Sequence, residues 1–152
     1  MANTNSDNPR VGRKFQEFVK PILEDKFNTQ FESEAAVAIG TPAKNHKFDL
    51  ATKNRSIVAE CKCYTWTDSG NIPSAKLMGL DEAAFYFGFL PLDTLKILCM
   101  KKATYRGKSE TLAEYYVRIH GHLLRDVYVY EVSDDGIITK KRGGQRNLEC
   151  ER

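Results

Sequence analysis

The segment Leu95-Lys96-Ile97-Leu98-Cys99-Met100 limits the folds open to this chain more than any other. Apolar residues stand at both alternating positions, as in a strand covered on both faces. Upstream, residues 56–64 form a second strand-like run, Ser56-Ile57-Val58-Ala59-Glu60-Cys61-Lys62-Cys63-Tyr64. Between the two runs lies a helix-length segment that Pro73-Ser74-Ala75 opens and Gly88 closes after Phe87. Strand, helix and strand in that order make a crossover, so part of the sheet is expected to be parallel.

The remaining elements fit around that unit. From Pro9 to about Asn28, Val11, Phe15, Phe18, Val19, Ile22, Leu23 and Phe27 recur at helical spacing, with Pro21 inside the pattern. Residues 31–39 and 47–52 read as strands. Lys53-Asn54-Arg55 is a tight connection in which Asn54 can take a left-handed conformation, making 47–52 and 56–64 an antiparallel hairpin. Residues 110–124 read as a helix with Leu112, Tyr115, Tyr116, Ile119 and Leu123 on one face. Residues 127–132 read as the last strand. The expected fold class is α/β, in the order α-β-β-β-α-β-α-β, with a mixed central sheet flanked by helices. Residues 1–8 read as a polar tail, 9–133 as a single domain and 134–152 as a basic polar tail.

Length and balance agree with one domain. The chain has 152 residues, 41% hydrophobic and 28% charged, with a net charge of +3. This mildly basic balance permits a polyanionic partner without demanding one. No apolar run reaches membrane-spanning length and the N-terminus lacks an apolar signal core, so a cytoplasmic protein without a membrane partner is expected. Cys61, Cys63, Cys99 and Cys150 lack the paired knuckles of a zinc site and read as small core hydrophobes. His120 and His122 read as the end of a helix.

The chemistry lies in the hairpin. Within residues 56–64, Ile57, Ala59, Cys61 and Cys63 fall on one face and suit a core. Glu60 and Lys62 project together from the other, which is expected to face away from the core. Asp49, on the face opposite Phe48 and Leu50, can stand across from Glu60. Cross-strand neighbours lie about 4.5 to 5.5 Å apart, within reach of one shared metal ion. Two carboxylates so close repel each other, and a hard cation such as Mg2+ or Mn2+ relieves that repulsion. The main-chain carbonyl of Cys61 is a further candidate ligand. Lys62 can orient water or neutralise charge on a phosphorane. The same residues can also be read as a solvated surface with a weak ion pair.

Asp49 followed by Glu60-Cys61-Lys62, in a hairpin preceded by a helix and followed by alternating helices and strands, resembles the PD-(D/E)xK nuclease superfamily. The resemblance covers roughly residues 9–132. It implies a restriction-endonuclease-like fold and Mg2+-dependent hydrolysis of DNA, with Asp49 and Glu60 holding the metal and Lys62 assisting the water. The chain departs from the name-giving pattern at Phe48, which replaces the proline. Many members carry an acid on the first helix in a Phe-Glu-x-x-Val setting. In Phe15-Gln16-Glu17-Phe18-Val19 that position falls on Gln16, while Glu17 points away from the apolar stripe. Recombination-type members carry Gln-x-x-x-Tyr on the next helix, for which this chain has Glu82 and Tyr86.

Lys76, Lys101, Lys102 and Arg106 are candidate contacts to a nucleic-acid backbone, as are Lys140, Lys141, Arg142 and Arg146. Trp66 and Tyr64 can stack on a base or cap the core. One site cuts one strand, so cutting both strands together implies a homodimer. Two rival readings are a non-catalytic nucleic-acid-binding module of the same fold and a protein-interaction domain whose hairpin charges are surface.

Overall fold

The computed structural model describes residues 9–143; the expected N-terminal tail, 144–152 of the expected C-terminal tail, Arg146 and Cys150 lie outside them. The chain runs α1 (Pro9–Phe27), β1 (Phe31–Ile39), β2 (Lys44–Thr52), β3 (Ile57–Lys62), α2 (Ser74–Phe87), β4 (Leu95–Lys101), α3 (Leu112–His120), a 3-10 turn (Gly121–Leu123), β5 (Tyr128–Val132) and β6 (Ile138–Arg142). The strands form one six-stranded sheet in chain order. β1–β2, β2–β3 and β5–β6 are antiparallel, while β3–β4 and β4–β5 are parallel. No helix among the described residues is long and apolar enough to cross a membrane.

Helices cover both faces of the sheet, as the apolar β4 requires. α1 lays Phe15, Val19 and Leu23 over Leu50, Ala59, Ile97 and Cys99. α2 and α3 bring Leu80, Phe87, Leu112 and Tyr116 onto Val58, Leu98, Met100 and Val129. Pro21 is accommodated inside α1. Cys61 and Cys99 stand side by side in the β3–β4 register and, with Cys63, pack in the α1 layer.

Several expectations are corrected. Residues 138–142, expected as tail, form the edge strand β6; only Ile138 is apolar there, and strand pairing rather than core burial holds the segment. Lys141 is tied to Glu114 and Glu131, at 3.2 and 3.7 Å. Arg142 donates to the carbonyls of Val127 and Arg125. α3 begins later than expected because Thr111 and Glu114 form a capping box. It ends at His120, leaving Ile119 and Leu123 40% and 45% exposed rather than in the core stripe. At the hairpin, Arg55 adopts the left-handed conformation, with φ 61°. The Asn54 side chain instead accepts hydrogen bonds from the Thr52 hydroxyl and the Ser56 N–H.

Candidate active site

Glu60 shares its strand parity with Val58 and Tyr64, whose side of the sheet is the one α2 and α3 cover. It is therefore buried, at 8% exposure, and the expectation that Glu60 and Lys62 face away from the core is corrected. A second correction concerns Asp49. Phe48 packs in the α2–α3 layer and Leu50 in the α1 layer, so the two do not share a face. Alternation along β2 breaks at Asp49. The same break occurs on β1, where Phe31 and Ala35 belong to opposite layers. Between them Glu34 has φ 55°, a left-handed conformation that side chains other than glycine adopt rarely. Glu34 stands opposite Asp49 in a register fixed by Ser33–Leu50 and Ala35–Phe48.

The β2–β3 ladder also changes here. Leu50 pairs with Ala59 and Ala51 with Val58. One step on, side chains take over the bonding. The Asp49 N–H donates to Glu60 Oε1 at 3.0 Å, and the Cys61 N–H donates to Asp49 Oδ2 at 2.8 Å. Each carboxylate thus grips the backbone of the opposite strand. This reciprocal clasp fixes both side chains and commits one oxygen of each. Glu60 Oε2 lies 3.9 Å from Lys62 Nζ.

The electrostatics follow from burial. Loss of solvent, and next the charge of Asp49, push the Glu60 carboxyl up to about 8, against the pull of Lys62. Burial also raises Asp49, opposed by the Cys61 N–H and Lys62 and reinforced by Glu34. Burial works to lower the Lys62 amine, but Tyr64, Glu60, Asp49 and Glu82 outweigh it, and the net shift is upward. Lys62 is therefore a cation throughout the neutral range, and the Glu60–Asp49 pair holds a proton when nothing else neutralises it.

An open cleft of about 250 Å³ brings together Gln16, Glu34, Asp49, Cys61 and Lys62, walled by Gly12, Arg13 and Tyr64. Gln16, buried on α1, lies in it, whereas Glu17 is exposed. On the α2 side, His46 stacks on Tyr86 at 3.8 Å and meets the Phe48 ring edge-on at 4.7 Å. The charges of Glu82 and Asp49 both reach His46. The expected backbone contacts are dispersed. Lys76 stands in the first turn of α2. Lys101, at the end of β4, lies in a neighbouring cleft 3.9 Å from Asp134, and Lys102 and Arg106 are exposed beyond it. Trp66 is a core residue whose indole N–H donates to the Ala103 carbonyl. His120 meets Asp81 at 3.0 Å rather than any cysteine.

Glu34 is the residue that sequence reasoning passes over. Its spacing from Asp49 resembles no motif, and only the β1–β2 register places it there. Comparison with protein-family models, with curated proteins and with solved structures brings no match.

Proposed function

We propose that this chain is a metal-dependent endonuclease of the PD-(D/E)xK type, with a restriction-endonuclease-like fold, that hydrolyses DNA phosphodiester bonds. The reciprocal clasp of Asp49 and Glu60 beside Lys62 carries this reading. It holds two carboxyls together out of water, Asp49 on a polar cleft and Glu60 buried behind it, which a purely structural hairpin does not need.

The donor set fits a hard divalent cation. A buried carboxyl pair that must otherwise hold a proton gains by exchanging it for Mg2+ or Mn2+. Asp49 and Glu60 would hold the ion, with the Cys61 carbonyl and the Gln16 amide as neutral oxygen donors. Among the described residues no group of three or more His, Cys, Asp or Glu side chains is placed to hold a metal. The other positions therefore fall to neutral oxygens and to the waters that magnesium retains. When bound, such a cation lowers the pKa of a water and offsets charge on the phosphate. Because Lys62 stays protonated, it serves as hydrogen-bond donor and cation rather than as base. It orients the attacking water and stabilises charge gathering on the phosphorus oxygens.

Incubating supercoiled plasmid with the protein and Mg2+ or Mn2+, beside EDTA and Lys62→Ala controls, tests the reading. Metal-dependent nicking that falls about 100-fold or more in the variant is expected, the scale of losing one oriented charge stabiliser. Undiminished nicking by Lys62→Ala refutes the assignment. A second reading, a binding module of the same fold without turnover, is favoured by Gln16 at the position where an acid would strengthen the metal site. Metal-independent DNA binding without nicking selects it.

A further inference from the structure

We infer that the N-terminal half of α1 is the wall along which the phosphodiester backbone of a nucleic-acid strand lies, with Gly12 at the closest approach and Arg13 and Lys14 gripping successive phosphates. The inference rests on the nuclease reading and extends it from the reacting atoms to the path of the strand.

Three observations carry it. Gln16 is only 7% exposed and lies in the cleft, yet its amide makes no hydrogen bond among the described residues. No side-chain polar atom of the described residues is sealed from solvent without a partner, so the amide opens toward the cleft. A largely buried amide kept open in this way is a binding group awaiting a ligand.

Gly12 stands one turn earlier on the same cleft. Glycine within a helix is unfavourable, and here it has no packing reason. A Cβ built on it meets nothing within 4 Å, and its φ lies outside the left-handed region. What the missing side chain provides is a bare helix surface that a sugar-phosphate chain can approach closely.

Arg13 and Lys14 are exposed and make no ion pair among the described residues. As neighbours on a helix they diverge. Arg13 lines the carboxylate cleft, and Lys14 lines the adjoining one with Lys101, Ser133 and Asp134. Cys63 lines both clefts, so the two lie side by side along α1. The first turn of α1 carries no acid to oppose an anion at its positive end. Arg13 and Lys62 in one cleft share it with Glu34 and Asp49, and Lys101 in the next is paired with Asp134. That leaves Arg13 and Lys14 as the exposed cations on the α1 side of the two clefts, spaced for successive phosphates rather than a single anion.

Binding of a labelled oligonucleotide by the full chain in EDTA, followed by fluorescence anisotropy across a salt series, tests this. Gly12→Leu is expected to weaken binding about tenfold while the thermal midpoint holds or rises, because leucine favours the helix and its Cβ meets no atom within 4 Å. Arg13→Ala and Lys14→Ala are each expected to weaken binding about three- to tenfold at low salt and to lower the salt slope by about one. Lys53→Ala, at the far end of the β2–β3 hairpin, removes the same charge and is expected to change neither. Unchanged affinity and slope in all three α1 variants of a protein that nicks plasmid overturn the wall and leave the nuclease reading standing. A wild-type protein that neither nicks nor binds overturns both.

Discussion

Replacing Glu60 by glutamine isolates the cost of the clasp. The glutamine carbonyl can still accept the Asp49 N–H, but the side chain never ionises. In the wild type the folded-state pKa of about 8 stands well above the ordinary 4.5. The stability this confers is fully present below 4.5 and is lost as the pH rises through about 8, because the unfolded chain releases its proton first. That rise corresponds to at most about 5 kcal/mol. Proton sharing with Asp49, which shifts in the same direction, and attraction to Lys62 reduce what one residue contributes. About 2 to 4 kcal/mol is the working expectation. Urea unfolding in EDTA, at unit steps from about pH 5 to pH 9, reads this directly. Wild type and Glu60→Gln should differ least near pH 5, and the variant should be more stable by the full amount near pH 9. Added Mg2+ should flatten the wild-type decline and leave the Glu60→Gln profile nearly unmoved. Parallel profiles in EDTA over the whole range would show that Glu60 ionises as an ordinary carboxyl and would refute the proton-sharing argument.

Gly79 gives a sharper packing test, because a Cβ there would stand 2.7 Å from the Tyr64 hydroxyl. Gly79→Ala should cost about 1 to 3 kcal/mol by calorimetry despite alanine's better helix propensity, and adding Tyr64→Phe should recover most of it. Lys96 is 2% exposed and pairs with Asp126 at 2.5 Å. Asp126→Ala should therefore cost about 3 to 5 kcal/mol in urea unfolding, whereas replacing both partners with apolar residues of similar volume should be nearly neutral.

The layered architecture was legible because its signals are local and strong. The α1 periodicity, the apolar β4 and the crossover between β3 and β4 each follow from side-chain pattern alone. The pairing of Asp49 with Glu60 was legible too, since a short hairpin leaves little choice of register. What escaped depends on contacts distant in sequence. Glu60 reads as surface because polar residues at one parity of a strand usually mean solvent, and only the docking of α2 and α3 buries it. The switch of facing at Asp49 and Glu34 breaks the alternation on which strand reading rests. β6 escaped because Thr139, Lys140 and Lys141 carry no apolar pattern, and an edge strand needs none when its partner supplies the hydrogen bonds.

The sheet's spatial order repeats its order in the chain, and this has a consequence for when the site comes into being. Gln16, Glu34, Asp49, Glu60 and Lys62 all belong to α1 and the first three strands, so the whole set is synthesised before β4 exists. Glu60 lies beside Leu98 in the β3–β4 register and beneath α2 and α3. Until those elements dock, Glu60 and Asp49 are two hydrated carboxylates on an antiparallel ribbon, with little reason to hold a proton or attract a cation. The first half of the chain supplies the functional groups, and the second half gives them their chemistry by taking away their water.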